Sequence, residues 1–328
     1  MNKYKVVIAG SLMAPALERI QKVCDVKQWT KPGPVPQELL WDWLKDAEGL
    51  IATASIKVDK ELLQHAPRLK VISQAAVGYD NIDIEACTDK GIPFGNTPGV
   101  LVDATADLAF SLLLCAARRI HEGWAFVRSG AWCSGSNIPF GIDLAGKTLG
   151  IVGMGQIGAA VAKRAGAFGM NVIYYNRNRR TDDEKIGATY QHFDTLLEEA
   201  DCIIVLTPLS QETRGLFGRE QFNKMKSTAY FINVSRGPVV DANALFDALK
   251  TGQIAYAALD VTDPEPIPMD HPLLTLSNIL ITPHIGSATT ETRTAMAQLT
   301  VDNLLAGLED EPLPACVNAK LIKEKQKG

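Results

Sequence analysis

The stretch Lys147-Thr-Leu-Gly-Ile-Val-Gly-Met-Gly-Gln-Ile-Gly158 decides how this chain folds. An apolar run, Leu149 to Val152, reads as a buried strand. It breaks at three glycines spaced G-x-G-x-x-G, and a helical pattern follows from Gln156 to Phe168, closed by Gly169. Asn171 to Tyr175 then reads as the next strand, which completes a βαβ unit. Gly153 suits the tight turn, Gly155 a close approach of backbone to a pyrophosphate, and Gly158 close packing of helix on strand. The N–H groups of Gln156 and Ile157, at the helix start, are available to an anion. Alone, this spacing also fits an ordinary structural turn; inside a complete βαβ unit it predicts a dinucleotide site.

On either side, strand and helix patterns alternate. Before the fingerprint, strands are expected at Lys5 to Ala9, Gly49 to Thr53, Leu69 to Gln74 and Ile92 to Gly95, with helices that include Ala14 to Cys24 and Pro36 to Lys45. After it, strands are expected at Cys202 to Leu206, Ala229 to Val234, Ala255 to Val261 and Asn278 to Thr282, about six with the two fingerprint strands. A long apolar helix, Val100 to Arg119, leads into a loop at Ser129 to Gly146, and a last helix spans Thr290 to Leu308. These patterns predict an α/β protein of two doubly wound parallel-sheet domains separated by a cleft. Residues 100–288 form a Rossmann nucleotide domain, and residues 1–99 with 289–328 form a flavodoxin-like substrate domain, its Lys-rich tail solvated.

The chain's 328 residues and 46% hydrophobic content supply two packed cores. A net charge of −4, with no basic run interleaved with aromatics, argues against nucleic acid. Apolar stretches such as Leu108 to Ala117 are far shorter than the roughly 20 residues of a membrane span, and the N-terminus enters a strand without an apolar leader. A cytoplasmic protein is expected. The six cysteines lack metal-ligand spacing and read as reduced thiols, Cys133 being the best placed for exposure; no metal is expected.

Where many NAD sites carry an acid about 20 residues after the glycines, this chain has Asn176, then Arg177, Asn178, Arg179 and Arg180. A guanidinium grips a 2′-phosphate that an acid would repel. NADP(H) is therefore favoured and NAD(H) possible, with Arg177 and Arg179 as the gripping residues and Arg180 facing solvent. The plainer alternative is a solvated basic loop neutralised by Asp182, Asp183 and Glu184.

Three polar residues lie just past strand C-termini, where an open parallel sheet binds its ligands: Arg236, Glu265 and His284. Singly, each has an ordinary explanation as a paired loop charge or a satisfied loop histidine. Together they suit hydride transfer to a carbonyl carbon. His284 would be the acid, Glu265 would favour its imidazolium, and Arg236 would hold a 2-oxo acid's carboxylate and polarise its carbonyl. The other histidines, His65, His121, His192 and His271, read as surface or capping residues.

The fingerprint, the block Met225 to Asp241 (MKSTAYFINVSRGPVVD) and the closing Pro-His-Ile-Gly-Ser-Ala-Thr resemble the D-isomer-specific 2-hydroxyacid dehydrogenases over nearly the full length. Ala76-Val-Gly-Tyr-Asp-Asn81 and Asn96-Thr-Pro-Gly-Val-Leu are most similar to the glyoxylate/hydroxypyruvate and 2-ketogluconate reductase branch. The resemblance implies Arg236, Glu265 and His284 as the catalytic set, and Val77 and Gly78 as N–H donors to the substrate carboxylate. It implies cofactor contacts at Thr105, Thr207, Pro208, Val234, Ser235, Asp260 and Gly286, with Asp260 near the nicotinamide amide, and a homodimer formed through the nucleotide domain. Two alternatives stay open. One is an NAD-dependent relative acting on D-lactate or 3-phosphoglycerate; the other is a nucleotide-sensing, corepressor-like binding protein.

Overall fold

A computed structural model describes residues 3–137 and 140–325. The chain divides into two compact units, one running to Leu101 and resuming at Ser287, the other spanning Val102–Gly286. Each boundary lies two residues from the expected one.

The first unit is a parallel sheet of β1 (Tyr4–Ile8), β2 (Cys24–Gln28), β3 (Gly49–Ala52), β4 (Val71–Gln74) and β5 (Phe94–Gly95), ordered β2-β1-β3-β4-β5. That is the flavodoxin-like order. β3 and β4 are buried at every position, as strands covered on both faces must be. The Thr290–Leu308 helix covers one face, with Ala297, Val301, Leu304 and Leu308 buried against Val6, Ile8, Ile51 and Val71. β2 was not anticipated. The expected Ala14 to Cys24 helix ends at Val23, where Cys24 turns extended at φ −120° and ψ 157° and starts an edge strand. The Lys-rich tail is solvated as expected, burying none of its described residues, but Ala319–Lys325 is helical and its Lys325 pairs with Asp89.

The second unit holds β6 (Thr148–Val152), β7 (Asn171–Tyr175), β8 (Thr189–Tyr190), β9 (Cys202–Val205), β10 (Tyr230–Asn233), β11 (Tyr256–Leu259) and β12 (Ile279–Ile281). Their order, β12-β11-β10-β9-β6-β7-β8, is all parallel and is the Rossmann arrangement with one strand added. The sheet has seven strands where about six were expected; the extra one is the two-residue edge strand β8. Winding reverses between β6 and β9, so the turns after those two strands flank the switch point. The Val102–Ala117 helix packs beside Gln156–Ala167 on one face, burying Ala109, Leu113 and Ala116 with Val161 and Ala165. Leu196, Phe222, Leu245 and Leu249 cover the other.

Candidate active site

At the end of β6 the three glycines meet three different constraints. Gly153 has φ +105°, and a Cβ there would lie 2.6 Å from the Thr207 backbone nitrogen, so an L side chain is opposed by both conformation and space. A Cβ on Gly158 would lie 2.5 Å from the Gly153 carbonyl oxygen, which fixes how closely the Gln156–Ala167 helix approaches the turn. Gly155, at the N-cap of that helix, has nothing within 4 Å of its Cβ position. No side chain caps this helix and no acid occupies its first turn. A side chain at Gly155 would therefore fill open space beside uncapped N–H groups, the surroundings a pyrophosphate requires.

The ribose edge differs from expectation. Asn176 clasps the turn itself: its Oδ1 accepts from the Met154 N–H at 2.6 Å and its Nδ2 donates to the Met154 carbonyl at 3.3 Å. Arg177 and Asn178 are exposed. Arg179 donates to Asp183 at 2.8 Å with its side chain 64% exposed. Arg180 does not face solvent. It forks onto Asp182 through Nε and Nη2 and also donates from Nη1 to the Met154 carbonyl at 3.1 Å, while its backbone N–H donates to the Tyr174 hydroxyl. Asp182 and Asp183 thus do pair with the arginine cluster, while Arg180 ties that cluster to the glycine turn.

Because every strand of this sheet is parallel, the segments after β10, β11 and β12 leave the same edge as the glycine turn. Arg236 follows β10 and opens the Gly237–Val239 helical turn, its Nη1 donating to the Ser235 carbonyl at 2.9 Å. Glu265 follows β11 and His284 follows β12; Nδ1 of the imidazole lies 2.6 Å from Glu265 Oε1, with both side chains about two-fifths exposed. Burial pushes the Glu265 carboxyl up, but the hydrogen bond and charge of His284, the Thr262 N–H and the Arg236 charge outweigh it and hold the group below the usual carboxylate range. Glu265 is an anion at neutral pH, and the Nδ1 that faces it carries a proton.

His284 has φ +53°, a conformation uncommon outside glycine. Asp260 accounts for it. This residue is 1% exposed; its carbonyl accepts the His284 N–H at 2.9 Å, and its carboxylate accepts the N–H groups of Ile285 and Gly286 and the Thr282 hydroxyl at 2.8, 2.8 and 2.6 Å. Expected beside a nicotinamide amide, Asp260 is in the structure a buried brace for the His284 loop. A Cβ on Gly286 would lie 3.2 Å from Asp260 Oδ2, 3.5 Å from Thr105 Cγ2 and 3.7 Å from Val234 Cγ1, so these four residues converge. Ser235 is buried beside them in sequence; Thr207, just past β9, lies against Gly153, and Pro208 follows it.

In the first unit, the turn after β4 carries Val77 and Gly78. Asn96 Nδ2 donates to the Val77 carbonyl at 2.9 Å and buried Gln74 Nε2 to the Gly78 carbonyl at 2.8 Å. No acceptor among the described residues takes the N–H of either residue. The remaining histidines have local partners: His65 stacks on Trp41, His121 meets the Tyr256 hydroxyl, His192 starts a helix, and His271 accepts from the Leu273 N–H. Among the described residues, no cluster of His, Cys, Asp or Glu is arranged to hold a metal ion, and no helix is long and apolar enough to cross a membrane.

Residues 110–286 match the family described as D-isomer specific 2-hydroxyacid dehydrogenase, NAD binding domain. A glyoxylate reductase of Thermococcus litoralis is 48% identical over 98% of each chain. The crystal structure of a glyoxylate reductase from Paecilomyes thermophila matches at a TM-score of 0.88 and 33% identity, covering 98% of this chain and 100% of that one. An NADPH-dependent glyoxylate/hydroxypyruvate reductase from Sinorhizobium meliloti, in complex with NADP and malonate, matches at a TM-score of 0.86 and 31% identity, covering 96% of this chain and 97% of that one. With the Rossmann sheet, the glycine cradle and the His284–Glu265 pair already in place, these matches show that the chain belongs to the D-isomer-specific 2-hydroxyacid dehydrogenase family of nicotinamide-dependent oxidoreductases.

Proposed function

We propose that this enzyme reduces small 2-oxo acids to D-2-hydroxy acids, with NADPH as the preferred reductant and glyoxylate, hydroxypyruvate and 2-ketogluconate as the candidate substrates. The observation that carries the reading is the 2.6 Å contact between His284 Nδ1 and Glu265 at the ligand-binding edge of the sheet. The names of similar proteins support the substrate class, and one of them was crystallised with NADP.

The cofactor fits the second unit. Gly153, Gly155 and Gly158 with the N–H groups of Gln156 and Ile157 would hold the pyrophosphate. Asn176, Arg177, Asn178 and Arg179 would border the ribose, with Thr105, Thr207, Pro208, Val234, Ser235 and Gly286 along the rest and buried Asp260 bracing Gly286 from behind. Bound there, the reduced nicotinamide supplies a hydride. His284, held at Nδ1 by the Glu265 anion, presents Nε2 and its proton to the oxygen that gains charge, a general-acid role worth roughly 10²- to 10⁴-fold. Arg236 neutralises the carboxylate and polarises the carbonyl, at roughly 1.5–3 kcal/mol per charge-assisted contact. The N–H groups of Val77 and Gly78 belong to the same proposal as carboxylate donors.

We also infer a homodimer. The Ile120–Arg128 helix of the nucleotide unit buries none of its residues and exposes Ile120, Trp124 and Val127 at 53%, 64% and 52%. These apolar residues call for a partner surface.

Initial rates with the three 2-oxo acids, D-lactate and 3-phosphoglycerate, each with NADPH and NADH or the oxidised forms, test the assignment. Oxo acid reduction faster with NADPH is expected; activity confined to NAD-linked oxidation would overturn it. His284→Gln should lower kcat by orders of magnitude while NADPH binding survives, and near-normal turnover would remove histidine from the acid role.

A further inference from the structure

Asn233, the last residue of β10, is 1% exposed, and its carboxamide is taken up by its own chain. Among the described residues, every bond of the carboxamide goes to Ser235 or Arg236. Oδ1 accepts the Ser235 N–H at 3.0 Å and the Ser235 hydroxyl at 2.7 Å, while Nδ2 donates to the Arg236 carbonyl at 3.1 Å. Arg236 in turn donates from Nη1 to the Ser235 carbonyl. The amide therefore holds the peptide units on either side of the Ser235–Arg236 peptide on which the guanidinium leans.

The other side of Arg236 is fixed by backbone. A Cβ on Gly237 would lie 1.9 Å from the Thr262 carbonyl oxygen and 2.1 Å from its carbon, so the chain leaving Arg236 lies directly on the segment leading to Glu265. The 235–237 backbone thus lies between close contact with Thr262 on one side and the Asn233 hydrogen bonds on the other. The Arg236 charge contributes to holding the Glu265 carboxyl low, which means the two segments are coupled electrostatically as well as sterically.

We propose that Asn233 is a positioning residue for Arg236: it touches neither substrate nor cofactor, and sets the direction of the guanidinium through the backbone of residues 235 and 236. This rests on the reading of Arg236 as the group that engages the oxo acid. Asn233→Asp keeps the side chain's shape and the acceptor for Ser235 but replaces the donor facing the Arg236 carbonyl with an oxygen. Asn233→Ala removes both contacts without adding charge.

The test is a double-mutant cycle with Arg236→Lys, read as kcat/KM for glyoxylate, KM for glyoxylate and Kd for NADPH. Each Asn233 variant alone is expected to lower kcat/KM roughly 10- to 100-fold, the scale of a catalytic group misplaced by about 1 Å, with KM raised and the NADPH Kd changed less than about twofold. In the Arg236→Lys background the same substitutions should cost less than about threefold more. Losses that multiply fully in the double variants would overturn the proposal, because Asn233 would then act through some other group. An equal loss of NADPH affinity would also overturn it, as the signature of general damage to the nucleotide unit. If Arg236→Lys alone leaves kcat/KM unchanged, the failure lies instead in the assignment of Arg236 itself.

Discussion

Replacing Gly155 by alanine should separate nucleotide binding from folding. The residue's φ of −83° and ψ of −155° are open to alanine, and no atom lies within 4 Å of the position a methyl would take. Stability should therefore stay within about 0.5 kcal/mol of the parent, as for a surface substitution that disturbs no packing. That empty space, however, is the approach to the uncapped N–H groups of Gln156 and Ile157. A methyl there holds a phosphate away from at least one of them. A hydrogen bond to a charged group contributes roughly 1.5–3 kcal/mol, so the Kd for NADPH should rise roughly 10- to 150-fold.

Gly153→Ala provides the contrast. At φ +105° the left-handed backbone costs roughly 1–2 kcal/mol for any L side chain, and a methyl 2.6 Å from the Thr207 nitrogen and 2.7 Å from the Leu206 carbonyl carbon adds overpacking of roughly 1–3 kcal/mol. A loss of about 2–5 kcal/mol should appear as a lower urea midpoint. Fluorescence titration with NADPH and urea unfolding on the two variants decide the matter. If Gly155→Ala binds NADPH within twofold of the parent, or is destabilised as much as Gly153→Ala, the division of labour among the glycines is wrong.

Three further outcomes are expected. Arg177→Ala should weaken NADPH far more than NADH, whereas Arg180→Ala should weaken both, because Arg180 Nη1 holds the Met154 carbonyl of the glycine turn; identical cofactor profiles for the two variants would refute this. Burial pushes the Asp201 carboxyl up, but the Thr148 N–H and Lys226 bring it below the ordinary range. Its contribution is thus present above the unfolded value of about 3.9 and lost as pH falls through the lower folded one, so the urea-stability gap between parent and Asp201→Asn should be open at pH 7 and close in acid, and a gap that persists in acid would argue against the ionic contribution. Trp124→Glu should shift sedimentation toward monomer, and an unchanged profile would remove the Ile120–Arg128 helix from the dimer interface.

Glycines 153, 155 and 158 were legible in the sequence because they interrupt a continuous apolar run at a strand-to-helix junction, a break with few physical readings. Strands β3, β9 and β11 were legible for the matching reason: strands covered on both faces are near-continuous apolar segments. β2 and β8 were not. Both are edge strands; β2 follows a helix without a break and alternates buried Cys24 with exposed Asp25 and Lys27, and β8 is only two residues long. Asn176 could be assigned to the ribose edge by its distance from the glycines, but spacing says nothing of the bond that occupies it. Its amide is engaged by Met154, twenty-two residues back in the chain.

Arg236, Glu265 and His284 mark the boundary between what pattern discloses and what only packing provides. A parallel sheet delivers every strand C-terminus to one edge, so identifying the strands was enough to bring the three residues to that edge. It was not enough to aim them. The 2.6 Å contact of His284 with Glu265 depends on a left-handed residue that the sequence writes as histidine, held there by a buried aspartate whose oxygens accept from the loop twenty-two to twenty-six residues onward. Asp260 reads in sequence as one more polar residue at a strand end, indistinguishable in kind from the three it was grouped near. What distinguishes it is burial: a carboxylate 1% exposed must find its donors within the chain, and those it finds are the Thr282 hydroxyl and the backbone N–H groups that follow His284. Asn233 follows the same logic on the neighbouring strand. At the ends of β10, β11 and β12 the more accessible polar residues, Arg236, Glu265 and His284, are the candidate reagents, and buried Asn233 and Asp260 brace the segments that carry Arg236 and His284.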